Sequence, residues 1–64
     1  MPIIHAHVLA GRSQQQKSDF AKAVTEAAST HLAVPAAAVR VLFHEIEPND
    51  WFTAGEAKSP PSAG

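Results

Sequence analysis

The chain has 64 residues, of which 45% are hydrophobic and 17% charged, with no cysteine and a formal net charge of −1 at pH 7. This composition excludes disulfide bonds and thiolate metal sites, and five basic residues against six acidic ones leave no basic surface for a nucleic acid. No apolar run reaches the length of a membrane span and the N-terminus lacks the cationic lead of a signal peptide, so we expect one small cytoplasmic domain that binds no membrane.

The core of this domain is expected to be thin. Thirteen of the hydrophobic residues are alanine, which leaves few large side chains to bury. A chain of this size buries only about 60% of the surface that its unfolded form exposes, and small domains depend on disulfides, metals or partner chains. Since disulfides are excluded, we expect copies of the chain to associate.

The first predicted element is a strand over residues 3–9, because the segment is short, rich in β-branched residues and followed by Gly11. Alternation divides its side chains between two faces. One face carries Ile3, His5, His7 and Leu9, and the other carries Pro2, Ile4, Ala6 and Val8.

A helix is predicted to begin at Ser13, where Ser13 and Gln16 have the spacing of a capping box, and Pro35 is expected to stop it. Helical spacing predicts a buried stripe formed by Phe20, Val24, Ala27, Ala28, His31 and Leu32. The side chains expected to face water are Gln15, Lys22, Glu26 and Ser29.

The remaining elements are a single turn at 36–38, a second strand over 39–46, a turn at 48–50 and a loop or short hairpin over 51–56. A strand, a long helix and a second strand form a βαβ unit with parallel strands. We therefore predict an α+β fold with one domain over residues 1–56 and a disordered, proline-rich tail over 57–64. Two strands leave open edges and an apolar face, which association would close.

Pro2 is the most informative single residue, because initiator methionine is commonly removed before a small residue such as proline. Removal of Met1 turns the Pro2 nitrogen from an amide into a secondary amine, which is a base. Burial in an apolar pocket and nearby cations both disfavour its charged form and bring its proton affinity toward neutrality, as general acid/base catalysis requires. The alternative is that Pro2 only begins an edge strand.

The chain has two arginines, Arg12 at the strand-to-helix junction and Arg40 within the apolar start of the second strand. Guanidinium groups can grip a carboxylate or a developing enolate oxygen by paired hydrogen bonds, which suits a small, enolisable carboxylate substrate. The alternative for Arg40 is a surface salt bridge with Glu45 or Glu47. Pro2 and Arg12 are separated by a strand of roughly 26 Å at about 3.3 Å per residue, so a site that uses both lies between subunits.

Four segments together resemble one known family: Met1-Pro2 opening a strand, Leu9-Ala10-Gly11-Arg12-Ser13 with Gln16-Lys17, Val39-Arg40-Val41, and Trp51 followed by a glycine-containing hairpin. On these residues the chain is similar to the 4-oxalocrotonate tautomerase family from Pro2 to about Glu56. The segment after the aromatic residue, Phe52-Thr53-Ala54-Gly55, has one glycine where several are common in the family.

The resemblance implies a tautomerase that moves a proton between keto and enol forms of a small unsaturated 2-oxo or 2-hydroxy carboxylate. It implies that Pro2 is the general base and acid, that Arg12 and Arg40 bind the carboxylate and polarise the carbonyl, and that Trp51 forms an apolar wall. It also implies βαβ protomers whose dimers share a four-stranded sheet, a homo-hexamer built as a trimer of dimers, and no metal or organic cofactor.

Three alternatives remain open from the residues. His5 and His7 share a strand face, and His44 or Glu45 on the next strand would make a metal-binding module. The same scaffold in the family also supports hydration, dehalogenation or decarboxylation, for which Asp50 or Glu56 would position water. The third alternative is a catalytically silent oligomer, which a retained Met1 would favour.

Overall fold

The computed structural model describes residues 1–58, and residues 59–64 of the predicted tail lie outside the described part. The order of elements is a β-α-β unit followed by a hairpin, which confirms the predicted α+β protomer. The elements are β1 (Ile3–Leu9), α1 (Gln14–Leu32), a 3₁₀ turn (Ala36–Ala38), β2 (Arg40–Ile46), a second 3₁₀ turn (Pro48–Asp50), β3 (Phe52–Thr53) and β4 (Glu56–Ala57).

The two long strands pair in parallel along their full length, from Ile3 opposite Arg40 to Leu9 opposite Ile46. The ladder continues beyond both ends, because the Arg40 N–H donates to the Pro2 carbonyl at 3.0 Å and the Ala10 N–H donates to the Ile46 carbonyl at 2.9 Å. The predicted alternation is confirmed. The side chains of Ile4, Ala6 and Val8 are half-buried against the helix, and those of Ile3, His5 and His7 are exposed on the other face.

The capping box predicted at the start of α1 is present. Ser13 Oγ accepts from the Gln16 N–H at 3.1 Å, and Gln16 Oε1 accepts from the Ser13 N–H at 2.9 Å. These bonds satisfy two of the backbone donors that a helix N-terminus leaves unpaired. Local polar chemistry therefore fixes where the helix begins.

The helix ends at Leu32, and Ala33 takes a left-handed conformation with φ of 56°. The Val34 N–H donates to the Ser29 carbonyl at 3.3 Å, and the Ser29 hydroxyl donates to the Val34 carbonyl at 2.6 Å. Pro35 explains why the helix ends before it, because the residue preceding a proline, here Val34, is disfavoured in the helical region.

The buried stripe of α1 differs from the predicted one. Ala28 alone is fully buried among the described residues, at 8% exposure, whereas four other members of the predicted stripe are exposed: Phe20, Ala27, His31 and Leu32. Six further residues of α1 are half-buried: Lys17, Ser18, Ala21, Val24, Thr25 and Ser29. Ser29 was expected to face water, so that prediction is wrong. Strands lie about 4.8 Å apart and a helix is about 10 Å across, so two strands cover only part of the predicted stripe.

The segment left open as a loop or hairpin is a hairpin. Phe52 pairs with Ala57 and Thr53 pairs with Glu56 in antiparallel fashion. The two residues between them, Ala54 and Gly55, have φ values of 55° and 81°, and positive φ at both central positions is typical of a type I′ turn. The reduced glycine content therefore still allows the two-residue connection.

We expect Ala33→Gly to raise the free energy of unfolding by roughly 0.5–1 kcal/mol, because glycine adopts the left-handed conformation without the Cβ penalty. Chemical denaturation at one fixed protein concentration measures this change. Ala27→Gly is the matched control, since Ala27 is an exposed interior residue of α1 and the same replacement there costs about 1 kcal/mol. Equal destabilisation by both variants would contradict the assigned cap.

No helix among residues 1–58 combines the length and the apolar character that a membrane span requires.

Candidate active site

Pro2 and Arg40 lie at the same end of the sheet. Pro2 immediately precedes β1 and Arg40 is the first residue of β2, and the Arg40 N–H donates to the Pro2 carbonyl at 3.0 Å. Parallel pairing causes this proximity, because the starts of parallel strands meet at one edge of the sheet. The structure therefore brings together two of the four residues that the sequence singled out.

Met1 still acylates the Pro2 nitrogen in the full chain, and an amide nitrogen is not a base. The Met1 side chain is 83% exposed, and its terminal ammonium donates to the Ala38 carbonyl at 2.7 Å. Met1 takes part in none of the β1–β2 ladder bonds, including the one to the Pro2 carbonyl, so we expect its removal to leave that ladder in place.

The Arg40 side chain is exposed, and its Nη1 donates to the Ala37 carbonyl at 2.7 Å. No ion pair involves Arg40 within residues 1–58, so the predicted alternative of a salt bridge with Glu45 or Glu47 is wrong there. Glu45 instead forms an ion pair with Lys17 of α1 on the helix side of the sheet. The positive charge of Arg40 is thus left near Pro2 without a carboxylate partner in the described part of the chain.

Arg12 lies at the opposite end of β1, between Gly11, whose φ is 118°, and the helix cap at Ser13. It borders a groove of about 150 Å³ whose other lining residues are Val8, Gln16, Lys17, Phe20 and Phe43. The rings of Phe20 and Phe43 meet edge to face at 5.8 Å between centroids and form the apolar floor. Because Glu45 offsets the charge of Lys17, Arg12 supplies the groove with its positive charge.

Trp51 follows the second 3₁₀ turn and is half-buried. It borders a shallow depression together with His7, Ile46, Asp50 and Phe52. Ile46 is the last residue of β2, so Trp51 lies at the Arg12 end of the sheet and away from Pro2.

The four predicted residues therefore divide into two half-sites at opposite ends of one protomer. Pro2 and Arg40 make up the first, and the second comprises Arg12 and Trp51, which border separate depressions. Seven strand residues at about 3.3 Å each lie between the two ends, a span that no side chain bridges. A site that uses all four residues requires more than one copy of the chain.

The histidines predicted as a metal-binding alternative form a cluster of a different kind. His5 Nδ1 and His44 Nε2 are 2.8 Å apart, a hydrogen-bond distance. The His44 ring also stacks on the rings of His5 and His7, with centroids 5.0 and 4.6 Å apart. Glu45, the other suggested ligand, faces the helix with Lys17. Within residues 1–58 no three ligand residues are placed to hold a metal ion.

The pairing of His44 with this cluster could not be found from spacing alone. The sequence shows that His5 and His7 share a face of β1, but only the parallel register, with His7 opposite His44, joins the third ring to them.

The chain matches one known protein family over nearly its whole length. A family model described as "Tautomerase enzyme" matches residues 2–60. A probable tautomerase of Lactiplantibacillus plantarum is 38% identical over 63 residues, covering 98% of both chains. A 2-hydroxymuconate tautomerase of Pseudomonas putida is 39% identical over 59 residues, covering 92% of this chain and 94% of the other.

Two solved structures have closely similar backbones. TomN, a 4-oxalocrotonate tautomerase homologue of the tomaymycin biosynthetic pathway, superposes with a TM-score of 0.88 at 36% identity, covering 98% of this chain and 97% of its own. A heterohexameric 4-oxalocrotonate tautomerase of Chloroflexus aurantiacus has a TM-score of 0.85 at 34% identity, covering 91% of this chain and 94% of its own.

Proposed function

The chain belongs to the tautomerase family, and from that premise we propose that it catalyses keto–enol proton transfer on a small unsaturated 2-oxo or 2-hydroxy carboxylate. Membership confirms the family and the 4-oxalocrotonate tautomerase type of enzyme that the sequence predicted. The observation that carries the proposal for this chain is the placement of Pro2 beside Arg40, with the Arg40 N–H on the Pro2 carbonyl.

In the proposed reaction, the Pro2 nitrogen, freed of Met1, takes the proton of the substrate's 2-hydroxyl group. The O–H bond breaks, its electron pair forms the C=O bond, and the conjugated double bonds shift toward the far carbon. The protonated Pro2 then returns its proton to that carbon, and a C–H bond forms. Atoms and charge balance without a cofactor, because one amine serves as base and then as acid.

The arginines would supply the electrostatic stabilisation. Negative charge on the 2-oxygen and the substrate carboxylate grows or persists through the proton transfer, and a guanidinium can hold such oxygens by two parallel hydrogen bonds. Arg40 engages one of its donors with the Ala37 carbonyl, which orients its fork at the Pro2 end of the sheet. Arg12 would approach from another copy.

Trp51 would provide the apolar wall beside Pro2, also from another copy. An apolar surface disfavours the charged ammonium form of the Pro2 nitrogen, as do neighbouring guanidinium charges. Both effects favour a neutral amine near pH 7, which the first proton transfer needs.

The proposed enzyme is a homo-oligomer, a hexamer built as a trimer of dimers whose protomers share a four-stranded sheet. Two features of the single chain support this assembly. Its half-sites lie at opposite ends, and its large apolar side chains Ile3, Leu42 and Phe52 are 58%, 44% and 62% exposed. A related protein of Chloroflexus aurantiacus is a heterohexamer.

Intact mass spectrometry combined with an activity assay tests the proposal. We expect the active protein to lack Met1, to sediment as an oligomer and to convert 2-hydroxymuconate to its oxo form, followed by ultraviolet absorbance. An active preparation that retains Met1, or an active monomer, would contradict the proposed role of Pro2.

A further inference from the structure

The helix covers one face of the sheet and leaves the other open. At the centre of this open face lies the histidine cluster, formed by His5, His7 and His44, all of which are exposed. Apolar side chains of the same strands surround it: Ile3, Leu9, Leu42 and Ile46. Imidazole is the side chain whose charge changes between about pH 5 and pH 8.

The geometry of the cluster limits how many protons it can hold. A hydrogen bond between His5 Nδ1 and His44 Nε2 at 2.8 Å needs one N–H donor and one bare nitrogen acceptor. Protonation of both rings places N–H against N–H and breaks the bond. The stack of His7 on His44, with centroids 4.6 Å apart, would bring a further positive charge to the same small area.

In the described part of the chain, no charged group near these rings is placed to offset a positive charge on them. Arg40 lies on the same face at the start of β2, where it adds a positive charge. Asp50 shares the depression with His7 but forms no ion pair with it within residues 1–58. Glu45 faces the helix and is paired with Lys17.

The open face also has to be covered for the chain to gain a core, since Ala28 is the one fully buried residue among those described. The occupant consistent with the proposed homo-oligomer is a second copy of this chain, whose own open face carries the same apolar side chains and histidines and has no carboxylate among its strand residues. Burying imidazolium groups there without a counter-charge is costly, whereas neutral, hydrogen-bonded imidazoles are tolerated.

We propose that the histidine cluster makes self-association through this open face of the sheet dependent on pH. Copies associate while the imidazoles are neutral and separate when acidification charges them. This inference rests on the proposed homo-oligomer and adds its regulation. The dissociated chain binds more protons than the assembled one, so assembly is favoured as pH rises through the range in which imidazole titrates and is lost as pH falls through it.

Sedimentation velocity of the wild-type protein from about pH 8 to about pH 5 tests the inference. We expect the apparent dissociation constant to increase by about tenfold per pH unit for each proton taken up per dissociating copy. Returning the same sample from about pH 5 to about pH 8 should restore the assembly, because the imidazoles then lose the added protons.

A double variant, His5→Gln with His44→Gln, removes the titrating pair and keeps polar side chains. We expect it to stay assembled over the same pH range. His31→Gln is the matched control, because His31 is an exposed histidine of α1 outside the open face, and it should dissociate on acidification as the wild type does.

The outcomes separate the two proposals. A wild type that is equally assembled at every pH, or a double variant that dissociates like the wild type, overturns the pH dependence and leaves the proposed tautomerase intact. If the double variant fails to assemble at about pH 8, the wild-type pH series decides, and an apparent dissociation constant that changes by less than about tenfold between about pH 8 and about pH 5 overturns the inference. A wild type that is monomeric at every pH overturns both proposals.

Discussion

Pro2→Ala is expected to lower kcat/KM for 2-hydroxymuconate by about 10²- to 10⁴-fold, the usual contribution of a positioned general acid or base. After removal of Met1 the variant still carries an amine, but a primary one on a residue without the pyrrolidine ring. The nitrogen loses both the ring that holds it in place about the N–Cα bond and its secondary-amine character. Steady-state kinetics at saturating and limiting substrate concentrations measure the loss.

Two controls make the Pro2 result specific. Intact mass must show that Met1 is absent from both wild type and variant, since alanine is also small enough for methionine removal. Pro35→Ala replaces an exposed proline at the end of the helix and should leave the rate unchanged. Full activity in processed Pro2→Ala would remove Pro2 from the chemistry.

Arg12→Ala is expected to cost about 2–4 kcal/mol of transition-state stabilisation, or about 30- to 900-fold in kcat, if Arg12 faces the developing oxyanion. Its distinctive feature is that its guanidinium cannot reach Pro2 of its own chain, because β1 lies between them. A neighbouring chain with an intact Arg12 should therefore restore the activity. Kinetics of the purified variant measure the loss, and unchanged kinetics would exclude Arg12 from the site.

Co-expression of the Pro2→Ala and Arg12→Ala chains tests the shared site directly. In a randomly mixed oligomer, half of the sites receive an intact Pro2 and half of those receive an intact Arg12, so activity should recover to about a quarter of the wild-type value. Each variant alone would stay inactive. Absence of recovery in a mixed oligomer confirmed by mass spectrometry would mean that the two residues do not serve one site.

The same mixing with Arg40→Ala decides how Arg40 acts. Arg40 lies beside Pro2 of its own chain through the backbone bond to the Pro2 carbonyl, but its exposed guanidinium could serve that Pro2 or one of another copy. If Arg40 serves its own chain, mixing with Pro2→Ala restores nothing. Recovery to the level seen with Arg12→Ala would place Arg40 in a neighbouring site.

The sequence predicted those parts of the fold that depend on local chemistry. The capping box of Ser13 and Gln16 located the start of the helix, and alternation along residues 3–9 assigned the two faces of β1, because both depend on neighbouring residues. The prediction of the buried stripe on α1 was only partly right. Leu32 and His31 have suitable helical spacing, but a two-stranded sheet is too narrow to cover them. Helical spacing does not encode the width of the opposing layer.

Some features of the candidate site could likewise be predicted from the sequence, and others could not. Proximity of Pro2 and Arg40 follows from parallel topology and could be predicted, as could the separation of Pro2 from Arg12. The position of Trp51 at the Arg12 end depends on the second 3₁₀ turn, whose path the sequence did not specify. The three-histidine cluster depends on the register between β1 and β2, which no spacing within one strand reveals.

The hydrogen bond from the Arg40 N–H to the Pro2 carbonyl has a practical consequence for producing the protein. Chain termini commonly fray, but this bond anchors the first strand independently of whatever precedes Pro2. An affinity tag fused to the amino terminus is therefore expected to leave the β1–β2 pairing intact while it keeps the Pro2 nitrogen acylated. Under the proposed mechanism such a product folds normally but does not turn over substrate. Recombinant material intended for assays should carry its tag at the carboxyl terminus.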